Sequence, residues 1–423
     1  MGVSYSEAME QIYALGKRMP PRQYLKSMEK LLLKLGNPQN DFDSILVTGT
    51  NGKGSTVAMT ASALKCSGLR TGRYLSPHID RFSERICMDD KEIPKKRVAE
   101  VYETVKQAME SIGHVTFFEF VTSMAFQYFS EEGADCAVLE VGLGGRLDAT
   151  NLAWSSLGAI TSVELDHTGV LGKRLSSIAR EKAGIIRHGG RVITGEGKRE
   201  PLGIIRETCA KKDAELLAVG KDIRYETIRC TNGGNEYLVT GFEGTYRVSL
   251  SMLGAHQGAN ASIAVGLAEM MGASQNAIEK GVGEAILPCR LELVGRGPSV
   301  LMDCAHNPNA ARALVAGLRL FQYNKLILVV GMMDDKDIDS FLKELGQIAD
   351  VLIVNQPSVP RAAAMEKLFG LGKQYCARTV GARDVGCSVE MAKSLANRKD
   401  LICLAGSIYM LAEVRGKAPV IAQ

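Results

Sequence analysis

The sequence predicts an α/β fold in two parts: a large domain built on a phosphate-binding loop, and a smaller α/β domain after it. Three observations predict it. First, the apolar run Ile45-Leu46-Val47 leads into Thr48-Gly-Thr-Asn-Gly-Lys-Gly-Ser-Thr56 and then into a stretch rich in small residues. Second, short apolar runs alternate with helical patterns along the chain, as expected of buried parallel strands joined by crossover helices. Third, the alternation breaks around residues 288–298, at Pro288 and Gly297-Pro298, and restarts at Val300. The expected division is therefore residues 1–295 and 296–423.

The first of these stretches organises the rest. A strand, a glycine loop and a helix in succession can cradle a phosphate. Glycine lets backbone N–H groups approach an anion, and the helix N-terminus adds unsatisfied donors. Gly49, Thr50, Asn51, Gly52, Lys53, Gly54, Ser55 and Thr56 form this loop. Lys53 would meet the β/γ-phosphate oxygens, and Ser55 or Thr56 could hold magnesium. The spacing departs from G-x-x-x-x-G-K-[ST]: Val47 stands at the first glycine position and Gly54 separates Lys53 from Ser55. A glycine-rich turn with a solvated lysine is the competing reading.

Composition narrows the function classes. With 423 residues, 46% of them hydrophobic, the chain has enough material for two or three domains with sizeable cores. A formal charge of +4, without a run of five like charges, argues against a nucleic-acid partner, as does an aromatic content of 6%. No stretch approaches the roughly 18 apolar residues of a membrane span. Ten cysteines without a C-x-x-C pair, and an N-terminus without a secretory pattern, read as reduced, inert thiols of a cytoplasmic protein.

In chain order, residues 4–36 read as two helices, 5–17 and 24–35, separated by Met19-Pro20-Pro21. The helix after the phosphate loop ends near Ser67-Gly68. Ser76-Pro77-His78 closes a short strand and opens a charged loop through Arg81 and Arg85. That loop is either solvated or grips an acidic ligand through forked hydrogen bonds. A charged helix follows over 94–112, then one running to Ser130. In the latter, Phe120, Met124, Phe126 and Phe129 read as core, while Phe117, Phe118 and Glu119 at its entry are kept as ligand candidates.

Residues 135–141 form the next strand, with Glu140 near its end, placed to ligate magnesium. The glycines after it do not make a dinucleotide fingerprint, because Leu147 occupies the last glycine position. A strand over 157–163 precedes Asp166-His167, where His167 is either structural or a metal ligand. Glu181-Lys182 sits on a helix from Ser176, and a further strand covers 192–194. Residues 220–250 predict a small antiparallel sheet with turns at Asn232-Gly-Gly-Asn235 and Phe242-Glu-Gly244. His256, Gln257 and Asn260 open a helix as ligand contacts or caps. In the second domain, Asp303 ends a strand and leads into Cys304-Ala-His306-Asn-Pro308. Strands at 326–330, 351–354 and 401–405 alternate there with helices near 337–348, 361–370 and 384–397.

Taken together, these landmarks resemble the folylpolyglutamate synthase/dihydrofolate synthase family of the Mur ligase superfamily, over essentially the whole chain. The carriers are the 48–55 loop, Ser76-Pro-His78, Glu140-Val-Gly-Leu-Gly-Gly-Arg-Leu-Asp-Ala-Thr-Asn151, Asp166-His167, Glu181-Lys-Ala-Gly-Ile185, Gly254-x-His-Gln-x-x-Asn260, Arg290-Leu-Glu292 and Asp303-x-Ala-His-Asn-Pro308. The family's loop has the irregular spacing seen here.

The resemblance implies a P-loop domain of the Mur-ligase central type and a Rossmann-like C-terminal glutamate-ligase domain. It implies ATP-dependent ligation through an acyl phosphate, with dihydropteroate, reduced folates and L-glutamate as substrates. The alternatives are polyglutamylation alone or a P-loop ATPase switch. Lys53, Glu140, His167 and a carbamylated Lys182 would be catalytic. Ser55, Ser76, Glu140, His167 and Lys182 would hold magnesium, two ions in all, with a monovalent cation as a further candidate. Asn260, Arg290, Asp303 and His306 would serve ATP. Ser76, His78, Arg81, Arg85, Phe117, Phe118, Glu119, Phe120, Arg146 and Asp148 would serve the pterin acid. A monomer is expected. Two positions depart from the family pattern: Cys304, where glycine is usual, and Ser83, where asparagine is common.

Overall fold

The computed structural model describes residues 2–15 and 25–415. The break expected at Met19-Pro20-Pro21 lies outside the described residues. The chain forms two compact units. One comprises the chain up to Glu226 with Leu238–Val248 and Gly258–Ala285; the other comprises Thr227–Tyr237, Ser249–Gln257 and the chain from Ile286 on.

The first unit begins with helices α1 (Tyr5–Leu15) and α2 (Lys26–Lys34). Strand β1 (Asp43–Thr48) and helix α3 (Lys53–Cys66) follow, then β2 (Thr71–Tyr74), β3 (Ile86–Met88), β4 (Lys91–Glu92), α4 (Lys95–Met109) and α5 (Phe117–Glu131). After β5 (Cys136–Glu140) come β6 (Leu157–Ile160), α6 (Thr168–Leu171), α7 (Leu175–Ala183), β7 (Arg191–Thr194), α8 (Arg199–Lys211) and β8 (Glu215–Ala218). The sheet order is β4-β3-β2-β5-β1-β6-β7-β8. From β2 to β8 neighbouring strands are parallel, and β3 and β4 extend the sheet antiparallel. β1 and β5 are buried from their second residue or throughout, which is why both read as continuous apolar runs. Helix α3 is buried from Gly54 to Leu64; its alanines and serines let it pack on all sides without an amphipathic stripe.

Consecutive strands β9 (Arg224–Thr231), β10 (Gly234–Thr240) and β11 (Thr245–Leu250) lie side by side in a separate sheet, ordered β11-β10-β9. This is the sheet expected over 220–250. Helices α9 (Gln257–Met270) and α10 (Gln275–Glu284) follow.

The second unit carries β12 (Glu292–Gly295), β13 (Ser299–Met302), α11 (Pro308–Leu318), β14 (Leu326–Val330), α12 (Ile338–Gly346), β15 (Val351–Val354), α13 (Met365–Gly372), β16 (Thr379–Gly381), α14 (Val385–Leu395), β17 (Leu401–Ala405) and α15 (Ile408–Arg415). Its sheet runs β12-β13-β17-β14-β15-β16, parallel except at the β12 edge. Several elements are absent from the sequence reading: β3, β4, α6, α8, β8, α10, β12, β16 and α15. Most are short or polar. Helix α8 buries only Pro201, Ile205 and Cys209, too few anchors to stand out as a periodic pattern.

Candidate active site

In the first sheet β1 lies between β5 and β6, so the chain reverses its direction of winding there. Open parallel sheets bind ligands outside the carboxyl ends of the strands at such a point. Register makes the placement specific: Val47 pairs with Glu140 and Thr48 with Ile160. The loop after β1, the end of β5 and the segment after β6 are thereby brought together.

The loop is held from the β6 side. Thr50 N donates to Ser162 O (2.8 Å), Asn51 N to Ser162 Oγ (3.1 Å), and Thr161 Oγ1 to Asn51 O (2.6 Å). Gly52 caps α3 with φ 89°, and no side chain caps that helix. A Cβ at Gly52 would lie 2.4 Å from Asn260 Oδ1, so backbone conformation and close approach both require glycine. The same contact places Asn260 of α9 against the loop. Lys53 Nζ donates to Gly49 O (3.1 Å) and Thr50 O (3.2 Å). Ser55 is buried, and the Thr56 hydroxyl is buried with no hydrogen-bond partner.

Glu140 is buried at the end of β5, where its Oε2 accepts from Ser76 N (3.1 Å). That bond ties the 76–85 segment to the strand end. After β6, His167 adopts φ 49° and opens α6, with its Nε2 4.0 Å from Asp166 Oδ1. Lys182, on α7, is 3% exposed. Burial pushes its amine well below the ordinary lysine range; the neighbouring Lys53 charge adds to the effect and Asp166 opposes it. Helix α7 docks backbone against backbone: Arg146 N donates to Glu181 O (2.9 Å), and a Cβ at Gly184 would lie 2.5 Å from Arg146 Cα.

The candidates for a pterin acid divide into two kinds. Some gather around one aromatic cluster. Arg85 is buried, donates through Nε to His78 Nδ1 (2.7 Å) and lies over the Phe117 ring at 5.4 Å. Tyr13 of α1 stacks on Phe117 at 6.2 Å, a neighbour absent from the sequence reading. Burial, with the Arg85 charge, lowers the His78 pKa to about 4. Phe118 packs on Tyr74 (6.1 Å) and lies beside Gly142.

The others have structural partners. Glu119 forms a capping box with Thr116, accepting from Thr116 N at 2.8 Å. Phe120 lies in the core, 0% exposed, against Tyr102. Asp148 accepts from Leu143 N (2.9 Å) and Thr150 Oγ1 (2.6 Å), and burial raises its pKa. Arg146 pairs with Glu181 (2.9 Å), and Arg81 with Glu92 (2.7 Å) and Asp80 (3.0 Å), which raises the Arg81 pKa.

In the second unit, β17 lies between β13 and β14, and β13 is the outermost parallel strand. Asp303 follows β13 and accepts from Leu291 N and Ala305 N, both at 2.8 Å. It therefore anchors the turn that carries Arg290. His306 Nδ1 lies 2.8 Å from Cys304 O. Asn307 caps α11, accepting from Ala310 N at 2.9 Å.

Among the described residues, no three His, Cys, Asp or Glu side chains gather closely enough to hold a metal by themselves. The expected set contains only Glu140 and His167 from those types; hydroxyls and a modified Lys182 would complete it. Thr161 and Ser162 are the supporting residues that sequence reasoning missed, since a Thr-Ser pair after a strand carries no signature of its own. No helix among the described residues is long and apolar enough to cross a membrane.

Comparison with known proteins gives two domain matches: "Mur ligase middle domain" over residues 47–268 and "Mur ligase, glutamate ligase domain" over 289–408. A probable bifunctional folylpolyglutamate synthase/dihydropteroate synthase of Haloferax volcanii is 35% identical over 98% of this chain. The chain spans about half of that relative, 50% of its length. The dihydrofolate synthase/folylpolyglutamate synthase of Escherichia coli is 33% identical, covering 87% of this chain and 85% of its own. A Mycobacterium tuberculosis folylpolyglutamate synthase, solved with ADP and AMPPCP, superposes with TM-score 0.92 at 29% identity, over 98% of this chain and 99% of that one. A bifunctional folylpolyglutamate synthase/dihydrofolate synthase bound to Mn, AMPPNP and L-glutamate superposes with TM-score 0.87 at 30% identity, over 99% of both chains.

Proposed function

This chain belongs to the Mur ligase family, in its folylpolyglutamate synthase/dihydrofolate synthase branch, and on that footing we propose that it is an ATP-dependent ligase. It joins L-glutamate to dihydropteroate and to the γ-carboxyl of reduced folates, releasing ADP and phosphate. The observation that carries this reading is the edge of the first sheet. There an uncapped helix N-terminus, the Lys53 loop, the buried Glu140 and the buried Lys182 converge. Such an edge suits phosphoryl transfer, in which positioning and charge stabilisation do most of the catalysis.

The acceptor carboxylate attacks the γ-phosphorus of ATP, ADP departs, and an acyl phosphate forms. The glutamate amine then attacks the acyl carbon, loses a proton and displaces phosphate. Lys53 and the α3 N-terminus stabilise charge on the transferring group. Asn260, Arg290, Asp303 and His306 serve the nucleotide. Arg85, His78, Phe117 and Phe118 bind the pterin acid, Arg85 meeting a carboxylate and the rings meeting the pterin face. Glu119, Phe120 and Asp148 shape that region from behind.

The donor set fits a divalent cation. Ser55, Ser76, Glu140, His167 and Lys182 would hold magnesium, which when bound neutralises phosphate charge. Once deprotonated, which its burial favours, the Lys182 amine is suited to add to carbon dioxide with loss of a proton. The resulting carbamate replaces a repelling cation with an oxygen ligand. Two magnesium ions, a monovalent cation, a monomeric state and cytoplasmic residence complete the proposal.

The test is phosphate release with Mg2+, ATP and L-glutamate, comparing dihydropteroate, tetrahydrofolate and no acceptor, with product mass measured. Release with both acceptors, each product heavier by one glutamyl unit, is expected. Release with tetrahydrofolate alone reduces the activity to polyglutamylation. Acceptor-independent release without a glutamyl product overturns the ligase reading in favour of an ATPase switch.

A further inference from the structure

The second unit brings together two cysteines that the ligation chemistry does not use. Cys289 precedes Arg290, and Cys304 lies between Asp303 and His306. Cys304 N donates to Cys289 O at 3.0 Å. That backbone bond makes the two residues neighbours across the two segments, as a disulfide between them requires. Both are buried, and all ten cysteines of the chain are free. What lies over Cys289 is thin: Arg415 Nη1 sits 3.5 Å from its Sγ and pairs with Glu292, and both side chains are about a quarter exposed, at 24% and 30%.

We propose that Cys289 and Cys304 are a redox-modification site, closed to an intramolecular disulfide by a small peroxide and reopened by a thiol reductant. Cys304 is the attacking sulfur. The Cys289 thiol beside it, together with the Arg290 and Arg415 charges, lowers the Cys304 pKa. The Cys304 thiolate attacks one peroxide oxygen and the O–O bond breaks, giving a sulfenic acid and hydroxide. The Cys289 sulfur then attacks the sulfenic sulfur. It loses its proton, the S–O bond breaks and water leaves. The net change is two thiols and one peroxide to one disulfide and two waters.

Bond formation brings the two sulfurs to about 2.05 Å. The segments pulled together carry Arg290 on one side and Asp303 and His306 on the other. Because Asp303 holds the Leu291 amide, strain at the pair reaches the proposed nucleotide contacts directly. This consequence rests on the nucleotide role proposed for Arg290, Asp303 and His306; formation of the bond does not.

The experiment exposes the full-length protein to graded hydrogen peroxide, blocks remaining thiols with iodoacetamide, and maps peptides by mass spectrometry. A Cys289–Cys304 linked peptide, lost after dithiothreitol, is the expected result. With it, the apparent KM for ATP rises about tenfold, in line with the cost of small misplacements, and returns on reduction. Cys304→Ala and Cys289→Ser retain basal activity and show neither change. If both thiols remain alkylated at doses that oxidise the partly exposed Cys66, the proposal is overturned. Mapping requires no turnover, so a failed ligase assay leaves this result readable.

Discussion

The two sheets share one plan but begin their first helices differently. In the first unit β1 leads through a glycine loop into α3, whose N-cap is Gly52 and whose first turn has no side-chain cap. In the second unit β13 leads into α11, which Asn307 caps and Pro308 opens. β1 lies at the reversal point of its sheet, with parallel strands on both sides, whereas β13 is the outermost parallel strand of its own, beside the antiparallel β12. Each leads from its carboxyl end into a helix, and the cap residue separates the two N-termini. An open N-terminus leaves its amides for an anion; a capped one turns those amides inward.

The largest effect should come from the open terminus. Lys53→Ala is expected to lower kcat for glutamate ligation by about 10³-fold, read as phosphate release with thermal stability near that of the unaltered protein. Should activity survive within a factor of a few, the first N-terminus is no more a phosphate site than the second. Lys182→Met comes next, with a loss of about 10²-fold. Added bicarbonate should raise the rate of the unaltered protein but not of the variant. Indifference of both to bicarbonate would remove the carbamate from the mechanism.

Gly52→Asn makes α3 more like α11. Asparagine tolerates positive φ, but its side chain must compete with Asn260. ATP affinity should fall about tenfold, measurable by calorimetry, and unchanged affinity would mean that the cap does not decide. The converse change, Asn307→Ala, should cost about 1 kcal/mol of stability in a denaturant titration. It should not endow α11 with phosphate affinity.

The smallest effect is pH-dependent. The His78 pKa lies near 4 in the fold and at about 6.5 in the unfolded chain. Between these values the unfolded state binds more protons. Stability is therefore full above about pH 6.5 and declines as pH falls toward 4. His78→Gln, which cannot titrate, should flatten that part of the Tm–pH curve. An equal slope in both proteins would assign the acid sensitivity elsewhere.

The strand–loop–helix at 43–66, the strand ending at Glu140 and the alternating second unit were legible because parallel strands are continuous apolar runs. The site was legible where chemistry needs a rare residue pattern, as in the Gly52-Lys53-Gly54-Ser55 loop. It was not legible where one residue type serves two ends. Glu119 and Asp148 could be ligands or caps, and their hydrogen bonds are those of caps. Phe117 and Phe120 lie three residues apart on α5. Only contacts distinguish the ring beneath Arg85 from the one buried on Tyr102. Nor does the sequence disclose that Cys289 and Cys304 meet, because a backbone bond between two loops fixes their distance.

The contact at Gly184 has a consequence of its own. Gly184, which caps the C-terminus of α7, lies close against Cα and Cβ of Arg146. Main-chain seats do not change when neighbouring residues are exchanged. The amine of Lys182, two residues earlier, therefore inherits a fixed address. Substitutions around it can alter its company but not its position, whereas a single methyl group at residue 184 would lever the helix off its seat. A short stretch of bare backbone thus acts as the datum from which that lysine is located.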